Sequence, residues 1–481
     1  MSTFDQGGAE TAPALRAPRG RSRRTILGGA GAALVAAVAA ACGPAGGGSA
    51  PTGGAPSGSG TLSGKLQVVQ VLDFHPDHNA FLRKTINEFA SARGWDLDLS
   101  DLAGFLGGSD VYQKLQAQKS AGQPVDLIFH GLSGPRLNLF GLTRDATPVV
   151  NRMVQRYGQP YSSARATHLI DGKWVGVPFY DRTGGYFIRE DRFAELGLTI
   201  ASGAFDRWDR LLAAARAVSR PDQNFAGWGM TVNRSGDGES HVWDLIQGFG
   251  GALTDESGQV VTLNSPQTVE GVRFLADVYR APENAGVTPP GVNAWNDTSN
   301  NEAYLAGTIA IASNAGTLYA KAVLDKNPVA DATTLIQKPY SVSGQRLQGS
   351  GGHYFYFMDG SKNFDPAAQL ADHLLSDEVQ KTLWQISAGY VVPAYANRWD
   401  DPLIRDNRIA RAFRPISFNE PPFPGMAWRG PVNEASEAVS GENVATDMMG
   451  EILAGKAVEA AVRDAHNRAV SIYQSFGFKG R

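Results

Sequence analysis

Phe74, His75, His130, Tyr180, Asp181, Arg182, Trp228, Trp295, Asn296, Asp297, Asn314, Tyr354 and Trp428 set aromatic faces beside hydrogen-bonding heads, in loops or near strand ends. That mixture suits the non-covalent capture of a polyhydroxylated solute. Rings stack on the apolar side of a sugar, while carboxylates, amides, guanidinium and imidazole groups bond its hydroxyls. Covalent chemistry finds less support. Gly131-Leu132-Ser133-Gly134-Pro135 lacks the second glycine of a nucleophile elbow, and no motif pairs two carboxylates for glycoside cleavage. No phosphate-binding loop or dinucleotide fingerprint occurs, so no cofactor is expected. Asp73-Phe74-His75-Pro76-Asp77-His78 raises a metal question, but its spacing fits no zinc motif and Pro76 disfavours a helical two-histidine face. No metal is expected there.

Each candidate also has a packing reading. Trp208 and Trp384 lie within helical apolar stripes and are expected in the core. Asp181 and Arg182 could form a salt-bridged pair at a chain crossing as readily as contact a ligand. Trp295 stands among Asn, Asp, Thr and Ser, which favours a loop facing a cleft.

The elements that must position these residues are bounded by composition. The chain has 481 residues, 42% hydrophobic and 19% charged, with 44 Lys plus Arg against 47 Asp plus Glu. This balance excludes wholesale disorder and gives no basic surplus for nucleic acid. A single cysteine excludes a disulfide framework. The length predicts more than one lobe.

The N-terminus reads as an address. Arg21-Ser22-Arg23-Arg24-Thr25-Ile26-Leu27 resembles a twin-arginine export motif, and an uncharged apolar run from Ile26 to Ala41 follows. Ala39-Ala40-Ala41-Cys42 resembles a bacterial lipobox, which implies acylation of Cys42. Between Gly43 and Gly64, 16 of 22 residues are Gly, Pro or Ser, the composition of a flexible tether. Removing residues 1–41 takes away five Arg and two acids, so the formal charge falls from −3 to −6.

The body reads as α/β. Strands are expected at Lys65–Leu72, Val125–His130, Thr308–Ser313 and His353–Met358. Helices are expected at His78–Arg93, Tyr112–Ser120 and from Trp208, with Asp206 as its cap, and over 446–474 with a break at Gly455. Asp77 is a candidate cap for the first of these helices. Strand, helix, strand with short loops predicts a parallel sheet.

The order of segments resembles the extracellular solute-binding proteins of ABC importers, maltose/multiple-sugar type, over residues 65–475. Trp174-Val175-Gly176-Val177-Pro178-Phe179-Tyr180 is similar to the family's "yGvPy" crossover. Tyr186 to Leu198, then Phe205 to Leu212, follow as "lyYnkdlfeklGl" and "tWdelL" do. Tyr304 to Ile311, Ser376 to Gln380 with Gly389 to Pro393, and Gly455 to Ala461 continue the series. Asn314-Ala315-Gly316 resembles the cleft segment "NGPW", with Thr317 in place of its tryptophan, and Trp428 resembles a late stacking aromatic.

The resemblance implies a periplasmic-binding-protein-like type II fold: two α/β lobes joined by hinge crossings, with a ligand cleft between them. Crossings are expected near Pro178–Thr183, Ser350–His353 and Gly389–Pro393, with Gly349, Gly351 and Gly352 absorbing hinge rotation. The expected division is an export signal at 1–41, a tether at 42–64, one lobe from 65–179 plus 353–390, and another from 180–352 plus 391–481. The implied partners are a small solute, carbohydrate first, the transmembrane subunits of an ABC permease, and the membrane through an N-terminal lipid. A monomer outside the cytoplasmic membrane is expected. Polyols, glycerophosphodiesters and polyamines stay open as solutes, as do a binding protein without transport and an exported glycoside-active enzyme.

Overall fold

A computed structural model describes residues 61–73, 76–102, 109–130 and 132–481. The export segment, Cys42 and the tether up to residue 60 lie outside the described residues, as do Phe74 and His75. The strands are β1 Leu66–Val71, β2 Leu97–Leu102, β3 Leu127–His130, β4 Leu169–Ile170, β5 Lys173–Trp174, β6 Val177–Arg182, β7 Gly184–Arg189, β8 Ala226–Trp228, β9 Ile309–Ala315, β10 Thr333–Ile336, β11 His353–Phe357 and β12 Val391–Pro393. A six-stranded sheet runs β12-β6-β11-β3-β1-β2, a four-stranded sheet runs β10-β7-β9-β8, and β4 with β5 makes a small hairpin.

In the first sheet β1 pairs parallel with β2 and β3, while β11 runs antiparallel to β3 and β6. The sequence explains which strands are central. In β11, His-Tyr-Phe-Tyr-Phe is buried on both faces, which suits a strand covered on both sides. The helix Pro76–Ser91 covers this sheet with His78, Leu82, Thr85, Ile86 and Phe89, a stripe at three- and four-residue spacing. Each such buried aliphatic or aromatic side chain contributes about 1.5–3 kcal/mol.

The second sheet sits between two packing layers. On β7, Tyr186 and Ile188 join one buried cluster with Leu211, Leu245 and Met449, while Phe187 joins the cluster that holds Leu66, Leu127 and Phe355. That alternation follows from the two-residue period of a strand. The expected final helical region is two helices, Val444–Leu453 and Val458–Ser475, parted at Gly455, whose φ is +104°.

Several local expectations are corrected. Arg207, not Asp206, is the cap residue of the helix Trp208–Val218, and Asp206 instead accepts from Arg346 Nη2 at 2.8 Å. Asp77 lies inside the first turn of its helix, which already starts at Pro76. There its charge favours the helix dipole rather than capping it. The expected break after Phe179 falls within β6, which continues to Arg182 because β12 pairs with it through Val391–Arg182 and Pro393–Tyr180. Residues 180–182 and 391–393 therefore belong to the first sheet, and Thr183 alone separates it from β7 of the second. Gly349 and Gly352 also permit close approach in this structure, and neither has a positive φ. A Cβ on Gly352 would collide with the Tyr161 hydroxyl and the Tyr180 carbonyl, and one on Gly349 with Ser163 Oγ.

Candidate functional site

Because β1, β2, β3 and β6 share a direction and β11 and β12 oppose them, one edge of the first sheet gathers four strand ends and two strand starts. A cleft of about 570 Å³ opens at that edge. This is where open α/β sheets place ligands, since loops leaving the carboxyl ends of the strands can diverge there. Asp73, Ser133, Arg182, His353 and Tyr390 reach it from the first sheet, and Glu437 and Ser440 from the helix Glu434–Gly441.

The floor is a buried hydrogen-bond network. The Tyr180 hydroxyl donates to Asp73 Oδ2 at 2.9 Å and also bonds His353 Nδ1. A phenol has one proton, so with that proton directed at Asp73 the bond to His353 requires a proton on Nδ1, donated to the Tyr180 oxygen. The Tyr390 hydroxyl adds a longer donation to Asp73 Oδ2 at 3.4 Å. Arg182 Nε donates to the Gly351 carbonyl at 2.6 Å, fixing the guanidinium beside the chain crossing. Burial opposes the Arg182 charge, but Tyr390 and Asp73 outweigh it and raise the pKa.

One wall is aromatic. The His168 ring stacks on Tyr354 with centroids 3.4 Å apart and planes 14° apart. His168 Nε2 bonds the Tyr356 hydroxyl at 2.9 Å, and the Tyr354 and Tyr161 hydroxyls bond each other. Burial pushes His168 down to about 3, so this imidazole is neutral. At the far end the Arg136 guanidinium lies 4.5 Å from the Tyr112 ring centroid, and the Tyr112 hydroxyl accepts from the Ser133 backbone N–H at 3.1 Å. Glu437 faces this corner from the opposite side. Burial raises its pKa, while a hydrogen bond from Ser133 and the charge of Arg136 work the other way. The charged groups lining the cleft, among the described residues, are Asp73 and Glu437 against Arg136 and Arg182. Counted formally, with the two lining imidazoles left aside, two acids face two guanidinium groups.

The sequence-predicted residues divide between the cleft and other places. Arg182 and Tyr354 line the cleft, and Tyr180 anchors its floor. Asp181 is wholly buried beside it, accepting from Ser417 Oγ at 2.6 Å and from the Arg182 N–H at 2.9 Å. Burial raises its pKa to about 6 despite those bonds. His130 ends β3 at the cleft edge of the sheet. Trp228 is wholly buried in the second lobe's core, and Trp208 and Trp384 are core residues as expected. Trp295 lines a different pocket in the second lobe.

The remaining candidates serve local structure. Asn296 accepts from Thr298 and Ser299 at the start of the helix Ser299–Leu305. Asp297 accepts from the Gly236 and Asp237 N–H groups at the start of the helix Gly236–Gly248. Asn314 donates to Asp237 Oδ2 at 2.9 Å. Trp428 is half-buried beside Arg429, whose guanidinium lies 5.1 Å from its ring, and does not line the cleft. Among the described residues no group of three or more His, Cys, Asp or Glu is arranged to hold a metal ion.

Sequence reasoning missed Ser133, Arg136, His168 and Glu437 as cleft residues, and left Asp73 and Tyr390 outside the binding set. Asp73 had a usable signal, standing two residues after a strand end. Glu437, within an ordinary helix, had none.

A family model for bacterial extracellular solute-binding proteins matches residues 103–381. No curated protein sequence matches the chain. Solved structures share the fold at low identity. An ABC transporter solute-binding protein from Thermotoga lettingae, bound with alpha-D-tagatose, is 17% identical at a TM-score of 0.65, covering 85% of this chain and 100% of that one. The maltose-bound MalE3 of T. maritima is 17% identical at 0.66, covering 85% and 99%. The sugar-binding protein MalE of Xanthomonas citri is 16% identical at 0.68, covering 85% and 98%.

Proposed function

This chain belongs to the bacterial extracellular solute-binding proteins, and from that premise we propose that its cleft captures a neutral carbohydrate, a sugar or oligosaccharide, for delivery to an ABC permease. The observation that carries this reading is the charge-balanced, hydroxyl- and ring-lined cleft. A polyamine site would want a surplus of acids and a phosphodiester site a surplus of Arg or Lys. Here two of each oppose one another. His168 stacked on Tyr354 offers an apolar wall for a sugar face, and Asp73, Arg182, Ser133 and Glu437 offer hydroxyl partners. The tagatose- and maltose-bound structures of similar fold support the same class.

Ligand contacting both the first sheet's edge and the helix Glu434–Gly441 would favour closure, since it binds the closed state with more contacts than the open one. Chemistry is not required of the site: the protein binds and releases its solute unchanged. In this reading residues 1–41 direct export and acylated Cys42 holds the body at the outer face of the membrane, with the 42–64 stretch as its leash.

A thermal-shift screen of the mature chain against sugars, polyols, polyamines and phosphodiesters tests the proposal. At a hundredfold excess over Kd, binding adds about 2.7 kcal/mol, a shift of a few degrees. A stabilising sugar recovered intact is the expected result. Stabilisation by a polyamine or phosphodiester alone would overturn the carbohydrate reading, and turnover of the sugar would overturn the binding-only one.

A further inference from the structure

We propose that the second lobe carries an accessory carbohydrate pocket, separate from the interlobe cleft, in which Trp295 supplies the stacking face. The inference rests on the carbohydrate reading of the protein, but it arises from a different cavity.

β8 and β9 run parallel, and a pocket of about 590 Å³ opens where they begin, at Ala226 and beside Thr308. The other end of β9 leads to Gly316, whose N–H bonds the Thr183 carbonyl at the chain crossing. The pocket and the crossing therefore lie at opposite ends of the second sheet. Its volume is that of a small-molecule site.

The lining differs in kind from that of the cleft. No charged side chain contributes to it among the described residues. Trp295, Tyr279 and Phe225 give aromatic surface, while Asn224 and Asn293 place exposed amides at the rim. An amide offers donors and an acceptor together, which suits vicinal hydroxyls, and an uncharged aromatic wall suits the apolar face of a sugar ring. The main chain that carries this ring is fixed. The Trp295 backbone N–H donates to the Val292 carbonyl at 3.1 Å, and its backbone carbonyl accepts from Thr231 Oγ1 at 2.9 Å. Pro289 and Pro290 restrict the backbone of the same loop. The Tyr279 hydroxyl is committed to the Met230 carbonyl at 2.6 Å, so its ring is left to the pocket as wall.

The test is fluorine NMR of the full chain labelled with 5-fluorotryptophan, with the Trp295 resonance assigned by its loss in Trp295→Phe. Maltose, ribitol and a proline-rich peptide are titrated into the parent and into Arg182→Ala. The expected result is a saturable movement of the Trp295 resonance with millimolar maltose in both proteins, about tenfold weaker in Asn293→Ala, whose side chain is exposed and whose folding is not at issue. A still Trp295 resonance in both proteins overturns the proposal. So does movement that disappears in Arg182→Ala, which would make it a reporter of the cleft, or movement with the peptide alone. If no sugar gives a thermal shift that Arg182→Ala removes while Trp295 responds, the accessory pocket stands and the cleft reading falls. If such a shift is found and the Trp295 resonance stays still, only the accessory pocket falls.

Discussion

The Tyr180 hydroxyl donates to Asp73 Oδ2 at 2.9 Å, across 107 residues of sequence. The bond ties the loop after β1 to the strand that leads into the second sheet, so a solute that touched Asp73 in the proposed cleft would act on a group bonded to the strand entering the crossing. Arg182, two residues along β6, is held to the Gly351 carbonyl on the second crossing.

Arg182→Ala should therefore weaken solute binding by about 1.5–3 kcal/mol, the range for a hydrogen bond to a charged group, with little change in overall fold content. Isothermal titration with whichever sugar stabilises the parent checks it. Unchanged affinity would mean that the guanidinium braces the crossing and does not touch ligand.

Much of this architecture was legible in the sequence because burial writes period into it. β1, β3, β9 and β11 announced themselves as apolar runs, and the stripe of the helix Trp208–Val218 as its three- and four-residue spacing. The candidate site was legible only in part. Arg182 and Tyr354 lie where residues beside strand ends would be sought, yet His168 and Glu437 enter the cleft by long-range packing of helices, which leaves no local pattern. Trp228 resisted for the opposite reason. A tryptophan at a strand end reads alike whether it caps a core or faces a cleft.

Asp237→Asn should flatten part of the pH dependence of stability. Burial raises the Asp237 carboxyl from 3.8 to about 7, against hydrogen bonding from Asn300 and with a further push from Asp297. A raised folded-state pKa favours the native state fully below the unfolded value, and that advantage is lost as pH rises through about 7. The asparagine variant escapes this loss, and its amide oxygen can still accept from Asn300 and Asn314. Relative to the parent it should gain on the order of a few kcal/mol between pH 4 and pH 8. Urea unfolding of both proteins across that window measures the difference, in which the contributions of His168 and His241 cancel. A difference that stays flat with pH would mean Asp237 is solvated.

Cys42→Ser should release the exported protein from the membrane. Two or more acyl chains give stable anchoring, since each buried methylene contributes about 0.8 kcal/mol, whereas the tether after Cys42 has no apolar run to replace them. Fractionation of cells with and without detergent reads the outcome. A serine variant still held in the membrane fraction would mean that the Ile26–Ala41 run is retained as the anchor.

Gly352→Ala and Gly351→Ala, one residue apart, should behave differently. A Cβ at Gly352 would meet the Tyr161 hydroxyl and the backbone carbonyl of Tyr180, and strand backbone cannot swing aside as a flexible side chain can. At Gly351 the nearest atom is Arg182 Nη2 at 3.5 Å, an ordinary contact. Gly352→Ala should cost about 1–3 kcal/mol of stability, as overpacking does, and shift Tyr161 and Tyr180, which support the cleft floor. Gly351→Ala should stay within about 0.5 kcal/mol of the parent, the usual span for a substitution away from such features. Neither glycine has a positive φ, so backbone strain does not confuse the comparison. Denaturant midpoints and solute affinity for the pair separate the two roles. Equal, small effects would show that β6 and β11 can part at this point, and that the glycines serve rotation at the crossing after all.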